Sequence, residues 1–248
     1  KTMENKKIRK IDLVGRGIKY SFSKKYYKKK FKNLNYDNFF YKNYDIRSLS
    51  ELNSILNDKD LIGLNVTIPY KEKIIPYLDK LSTNAKKIGA VNTIYFENKR
   101  IIGDNTDVIG FEIALKSFIK KKIYNAMVLG TGGASKAINF VLKNNDINTL
   151  VVSRKPKRDQ IHYKEINKDL LSSHPLIINC TPLGTSPEVN ELPPLPYELI
   201  NSENYLFDLI YNPKTTSFMK KGLNKGAKVT NGFKMLIEQA EASWKLWE

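Results

Sequence analysis

One short run constrains this chain more than any other: Gly130-Thr131-Gly132-Gly133-Ala134-Ser135, set between an apolar stretch at 126–129 and a helix-like stretch at 136–144. The first glycine of such a run permits a tight turn. The second lets a pyrophosphate approach the backbone, and a small third residue, here Ser135, lets helix and strand pack closely. The helix start then turns unpaired N–H groups and the positive end of its dipole towards phosphate. Further strand patterns at 149–152, 176–179, 205–210 and 228–230 alternate with helix patterns at 108–121 and 216–224. That alternation predicts parallel β-α-β units with right-handed crossovers, a Rossmann-like doubly wound domain.

The residues after the second of these strands sharpen the expectation. They read Ser153-Arg154-Lys155-Pro156-Lys157-Arg158, with no Asp or Glu between Thr149 and Arg158. A site for NAD usually places an acid here on the ribose 2′-hydroxyl, whereas an arginine accommodates the 2′-phosphate of NADP. Arg154 offers a forked, charge-assisted grip on phosphate. The chain has six arginines and two of them fall in this loop, so NADP(H) is predicted over NAD(H).

The first hundred residues have a different character. Strands are predicted at 9–15, 45–48 and 61–67, the last broken by Pro69, and helices at 23–31, 49–57 and 71–87. Two more strands, 93–96 and 100–103, flank a turn at 97–99. An amphipathic helix is predicted at 233–247. A domain junction falls near Val108.

Bulk numbers exclude several classes. With 248 residues, 41% hydrophobic and 27% charged, the composition is that of an ordinary globular protein. The formal net charge is +17, which invites a nucleic-acid reading. The lysines are scattered, however, and a solvated basic face that gathers anionic small molecules is the better account. No run approaches the roughly 20 apolar residues that span a bilayer, so no membrane partner is expected. The first eleven residues are charged and show no apolar core of a secretory signal. The single cysteine, Cys180, fits a reducing compartment, and a cytoplasmic location is expected. His162 and His174 lack ligand spacing, and no metal is implied.

Polar residues also recur at predicted strand ends. Asn65-Val66-Thr67-Ile68-Pro69-Tyr70-Lys71 is followed by Gly89-Ala90-Val91-Asn92-Thr93 and by Gly103-Asp104-Asn105-Thr106-Asp107 with Gly110. Singly, such residues cap helices and form turns. Together, in this order and spacing, they resemble the signature of the shikimate dehydrogenase family. The resemblance extends to Ser21-Phe22-Ser23, the glycine turn, Ser153-Arg154, Asn179-Cys180-Thr181-Pro182-Leu183-Gly184, the 208–213 segment and the 232–240 segment.

The resemblance implies two α/β domains flanking a cleft. A mixed, mostly parallel substrate domain would take residues 1–107 and the returning helix 232–248. A Rossmann-like NADP domain would take residues 108–231. It implies reversible reduction of 3-dehydroshikimate to shikimate, with Lys71 as general acid/base and Asp107 as its partner and a hydroxyl acceptor. Ser21 and Ser23 would hold the substrate carboxylate, Thr67, Asn92 and Gln239 would hold carboxylate or ring hydroxyls, and Tyr211 would stand near the reacting carbons. Gly130, Gly132, Gly133, Ala134, Ser135, Ser153, Arg154, Lys155, Thr181, Gly232 and Met235 would line the cofactor. Assembly as a monomer or a homodimer is compatible with the sequence.

Departures from the family pattern are local. The stretch 15–24 lacks the usual two prolines and histidine, Ser153 and Lys155 replace an Asn and a Thr, and Thr185 stands where Met is common. Competing readings are a quinate/shikimate dehydrogenase using NAD or NADP, and a catalytically silent NADP-binding regulator. The retention of both Lys71 and Asp107 speaks against the second.

Overall fold

A computed structural model describes residues 7–19 and 21–248. The first six residues, read above for a leader, and Tyr20, at the family's histidine position, lie outside the described residues. The chain divides into two compact units, Lys1–Thr106 with Ala242–Glu248, and Asp107–Glu241. Among the described residues no helix is long and apolar enough to cross a membrane.

The first unit is built on a mixed sheet. Its strands are β1 (Arg9–Gly15), β2 (Phe39–Phe40), β3 (Asn43–Asp45), β4 (Leu61–Val66), β5 (Lys80–Leu81), β6 (Thr93–Glu97) and β7 (Arg100–Asp104). The order is β2-β1-β4-β6-β7-β5, with β3 also pairing β1. Only the β4–β6 and β6–β7 pairs are antiparallel. Helices α1 (Phe22–Asn33), α2 (Leu52–Leu56) and α3 (Thr83–Ile88) accompany it. One core layer gathers Val14, Leu52, Leu64, Val66, Ile74 and Ile94. The other is aromatic: Tyr27 of α1 stacks on Tyr41 at 4.7 Å and meets Trp247 at 5.8 Å. Trp247 donates its indole N–H to Ile94 O at 2.9 Å and packs where a side chain on Gly63 would stand, which explains a glycine in the middle of β4.

The second unit carries β8 (Asn125–Leu129), β9 (Asn148–Ser153), β10 (Gln160–His162), β11 (Leu176–Asn179), β12 (Tyr205–Asp208) and β13 (Lys228–Thr230). All pairings are parallel, in the order β10-β9-β8-β11-β12-β13. Counted within the unit this is 3-2-1-4-5-6, the doubly wound dinucleotide-binding order. Strands β11 and β12 are buried throughout, as a parallel sheet covered on both faces requires. The helices are α4 (Asp107–Phe118), α5 (Gly133–Asn144), α6 (Lys168–Ser173), α7 (Ser217–Leu223) and α8 (Phe233–Trp247). The last seven residues of the chain, the end of α8 among them, are counted with the first unit. Gly110 of α4 lies against α8: a Cβ there would stand 2.5 Å from Met235 O and 2.9 Å from Gln239 N.

Three expectations need correction. Residues 71–87 are not one helix but a series of turns, a 3-10 turn at Ile75–Tyr77, strand β5 and helix α3. Pro76 has no backbone N–H, so an α-helix could not run through it with its hydrogen bonds intact, whereas it fits the start of the short 3-10 turn. Ser82 then opens α3 by accepting from Ala85 N at 3.1 Å, and Gly89, at φ +69, closes it. Ile74, Leu78 and Leu81 still face the core, so the apolar spacing was real but is met by separate segments. The strand expected at 45–48 lies instead at Asn43–Asp45, and Ser48 caps the next turn by accepting from Ser50 N. The strand expected at 205–210 ends at Asp208, whose carboxylate takes the Ile210 N–H out of the ladder.

Candidate active site

In the first unit, local chain geometry brings three of the sequence-derived residues to one sheet edge. Thr67 follows β4, Lys71 lies one turn on, and Asn92 precedes β6, which runs antiparallel to β4. Backbone bonds stitch them together: Val91 N to Lys71 O at 2.7 Å, Val66 N to Asn92 O at 2.8 Å, and Thr67 N to Val14 O at 3.0 Å. The loop leaving β1 joins the same edge through Arg16 N to Ile68 O at 3.0 Å. Gly15 is needed there, since a Cβ would stand 2.5 Å from Thr67 Cγ2 and 2.7 Å from Ile18 Cγ2.

Ser21 and Ser23 occupy the start of α1. Ser21 Oγ caps the helix by accepting from Ser23 N at 3.3 Å. A capping hydroxyl can still donate its own proton, and the helix start favours an anion. Ser23 hydrogen-bonds the phenol of Tyr41, whose pKa burial pushes up and this bond holds back. Tyr41 in turn donates to Asn65 Oδ1 at 3.0 Å.

Asn92 is buried and engaged on both sides by Thr106. Its Nδ2 donates to Thr106 Oγ1 at 2.9 Å, and its Oδ1 accepts from Thr106 N at 2.7 Å. Behind it lies a cluster of buried hydroxyls: Ser243 Oγ stands 2.6 Å from Thr93 Oγ1 and 2.8 Å from Thr106 Oγ1. Every member has a partner, as buried polar groups require. This arrangement holds the Asn92 amide in one orientation.

In the second unit the glycine turn has the predicted form. Gly130 adopts φ +106, and a Cβ there would meet Thr181 Cγ2 at 3.2 Å. Gly132 caps α5 without a side-chain bond, and a Cβ on it would meet nothing within 4 Å, so the approach to this helix start is open. Gly133 and Ala134 begin α5, and Ser135 is buried with its hydroxyl on Gly132 O at 2.7 Å. Ser153 ends β9, and its Oγ accepts from Lys155 N at 3.2 Å. Arg154, Lys155, Lys157 and Arg158 are all exposed in the loop beyond. A helix start open at its glycine, together with an acid-free cationic loop after the second strand, fits a dinucleotide carrying a 2′-phosphate.

The remaining sequence-derived residues are placed as follows. Asp107 is buried at the first position of α4, where the helix dipole favours a carboxylate. Thr181 follows β11, with its N–H and hydroxyl both on Asn179 Oδ1, at 3.0 and 2.7 Å. Tyr211 is half-buried in the segment after β12. Gly232 packs directly on the backbone of Leu209 and donates to Ile210 O at 3.0 Å, so its glycine is explained by close approach. Met235 is buried on α8, and Gln239, half-buried one turn on, turns its Nε2 to Leu236 O at 3.0 Å. The histidines serve locally: His162 caps a 3-10 turn and His174 ends α6.

The sequence patterns did not single out Tyr41, Asn65, Thr93, Thr106, Ser243, Asn179 or Asp208 as individual residues. Five of these lie inside the motifs quoted above, so polar residues at strand ends were an available signal. Tyr41 and Ser243 come from distant segments and carried none.

The 3-2-1-4-5-6 sheet, its glycine turn and its cationic loop, joined in one chain to a mixed-sheet unit, define a two-domain dinucleotide-binding protein of the α/β class. Comparison narrows this. Residues 13–94 match the family model described as the shikimate dehydrogenase substrate binding domain. A shikimate dehydrogenase (NADP(+)) of Methanococcus aeolicus is 35% identical over 265 residues, covering 99% of this chain and 94% of the relative. A crystal structure of a shikimate dehydrogenase in complex with NADP+ superposes with a TM-score of 0.87 at 34% identity, covering 99% of this chain and 91% of that one. The shikimate 5-dehydrogenase of Thermus thermophilus, in complex with NADP(H) and shikimate, gives 0.85 at 30% identity over 97% and 93%. The chain belongs to the shikimate dehydrogenase family.

Proposed function

We propose that this protein catalyses the reversible NADPH-dependent reduction of 3-dehydroshikimate to shikimate, a step of aromatic amino acid biosynthesis. The observation that carries the reading is the convergence of Thr67, Lys71 and Asn92 at one sheet edge. It is supported by full-length relatives named for this activity and this cofactor.

The nicotinamide, when bound, supplies or receives the hydride. The chain's own residues do the rest. Lys71 Nζ gives a proton to the carbonyl oxygen as it becomes a hydroxyl, and takes it back in the reverse direction. Such help is worth roughly a hundredfold to ten-thousandfold in rate. Asp107 accepts a substrate hydroxyl. Ser21 and Ser23 hold the carboxylate at the start of α1, and Thr67, Asn92 and Gln239 hold carboxylate or ring hydroxyls. Tyr211 donates near the reacting carbons.

On the cofactor side, backbone N–H groups of the 130–135 turn hold the pyrophosphate. Arg154 and Lys155 hold the 2′-phosphate beside Ser153. Gly232 and Met235 border the nicotinamide, and Thr181 meets the cofactor beside the glycine turn. The protein's contribution is alignment of two reactants, which removes orientational entropy from the barrier.

Lys71→Ala tests the assignment. Turnover should fall at least a hundredfold while the NADPH dissociation constant stays within twofold of the parent value. Unchanged turnover would discard Lys71 as the proton-transfer group.

A further inference from the structure

Two fully buried polar side chains at the carboxyl edge of the parallel sheet are not used by the proposed mechanism. Asn179 ends β11 and Asp208 ends β12, and the two are paired in register. Asn179 is also in register with Leu129, the residue before the glycine turn. Both are 0% exposed. A buried amide and a buried carboxylate are costly unless bonded, so their partners indicate what they are for.

Asp208 accepts three hydrogen bonds: Asn179 Nδ2 at 3.0 Å and Ile210 N at 3.1 Å on one oxygen, and Thr216 Oγ1 at 2.6 Å on the other. With its amide nitrogen held there, Asn179 turns Oδ1 to the other side. That oxygen accepts both donors of Thr181, the N–H at 3.0 Å and the hydroxyl at 2.7 Å. Thr181 Oγ1 then accepts from Leu183 N at 3.3 Å, which shapes the turn. The Thr181 methyl stands against Gly130, the first residue of the cofactor turn.

An ionised carboxylate only accepts, so it can face only the N–H side of the neighbouring amide. An amide at position 208 could present either end. From this we infer that Asn179 is a positioning residue for dinucleotide binding, and that Asp208 fixes the direction of its amide so that Thr181 is held against the glycine turn. The inference rests on the reading of residues 130–135 as the dinucleotide site. It explains why an acid is kept in a core where an apolar residue of similar size would be less costly to bury.

Two variants and one titration test it. NADPH fluorescence is titrated against the parent protein, Asn179→Ala and Asp208→Asn, with thermal unfolding and shikimate KM measured on each. Asn179→Ala, which removes the acceptor of both Thr181 donors, should raise the NADPH dissociation constant at least tenfold with shikimate KM within twofold of the parent. Asp208→Asn removes a buried charge, should fold, and should raise the same constant by a smaller factor of about threefold. A parent-like constant in both folded variants overturns the inference. So does a shikimate KM that rises in step with the NADPH constant, which would mark a merely structural role. Failure of the parent protein itself to bind NADPH would instead overturn the dinucleotide reading on which the inference stands.

Discussion

Arg154→Ala gives the sharpest account of cofactor choice. Arg154 is exposed in the loop after β9, beside Lys155, Lys157 and Arg158, with no acid before Asp159. Its loss removes one of four cations, and the long-range part of that loss is small because a Debye length is about 8 Å at physiological salt. The main loss is a forked, charge-assisted contact to the 2′-phosphate, worth about 1.5–3 kcal/mol. Exposure favours the lower end, about 1.5–2 kcal/mol, and 1.4 kcal/mol is a tenfold change. The value of kcat/KM for NADP+ should therefore fall about 10- to 30-fold. The value for NAD+, which has no 2′-phosphate, should stay within twofold, and the melting temperature should not move. Initial rates with shikimate saturating and each cofactor varied measure both. An equal loss with NAD+ and NADP+, or no loss with NADP+, would refute the assignment of Arg154 to the phosphate.

Other predictions concern the scaffold under the site. Trp247→Ala empties a buried aromatic site and removes the indole donor to Ile94 O; it should lower unfolding stability by about 4 kcal/mol in urea titration, and a loss under 1 kcal/mol would deny Trp247 its core role. Ser243→Ala removes a hydrogen-bond partner from both Thr93 and Thr106, a loss of about 1–3 kcal/mol, and should raise shikimate KM more than NADP+ KM. Burial pushes the Asp12 carboxyl up to about 6, from 3.8, against the backbone bond from Lys42. Protonated Asp12 is thus favoured by the fold: the stability this gives is full below about pH 4 and is lost as pH rises through about 6. Asp12→Asn should accordingly gain on the parent by up to about 3 kcal/mol between pH 4 and pH 7, and a gap that is flat across that range would contradict the shift.

Much of the architecture was legible because its signals are local. The glycine turn, the apolar runs of β8 and β11 and the acid-free stretch after β9 each lie within a few consecutive residues. The substrate-side motifs were legible as polar residues at strand ends. What escaped depends on neighbours far apart in sequence. The segment 71–87 carries apolar residues at helical spacing, yet Pro76 and the Ser82 cap divide it. Ser243 meets Thr93 and Thr106 across more than a hundred residues, and Tyr41 reaches Asn65 from a segment beyond α1. Short strands such as β2 and β5 have no periodicity to read, since two residues show none.

The most direct test of the account is the rise in nicotinamide absorbance when the purified protein is given shikimate and NADP+. A steady, enzyme-dependent rate that exceeds the rates with quinate or with NAD+ is the predicted result. No rate with shikimate and NADP+, or a faster one with quinate or NAD+, would contradict it.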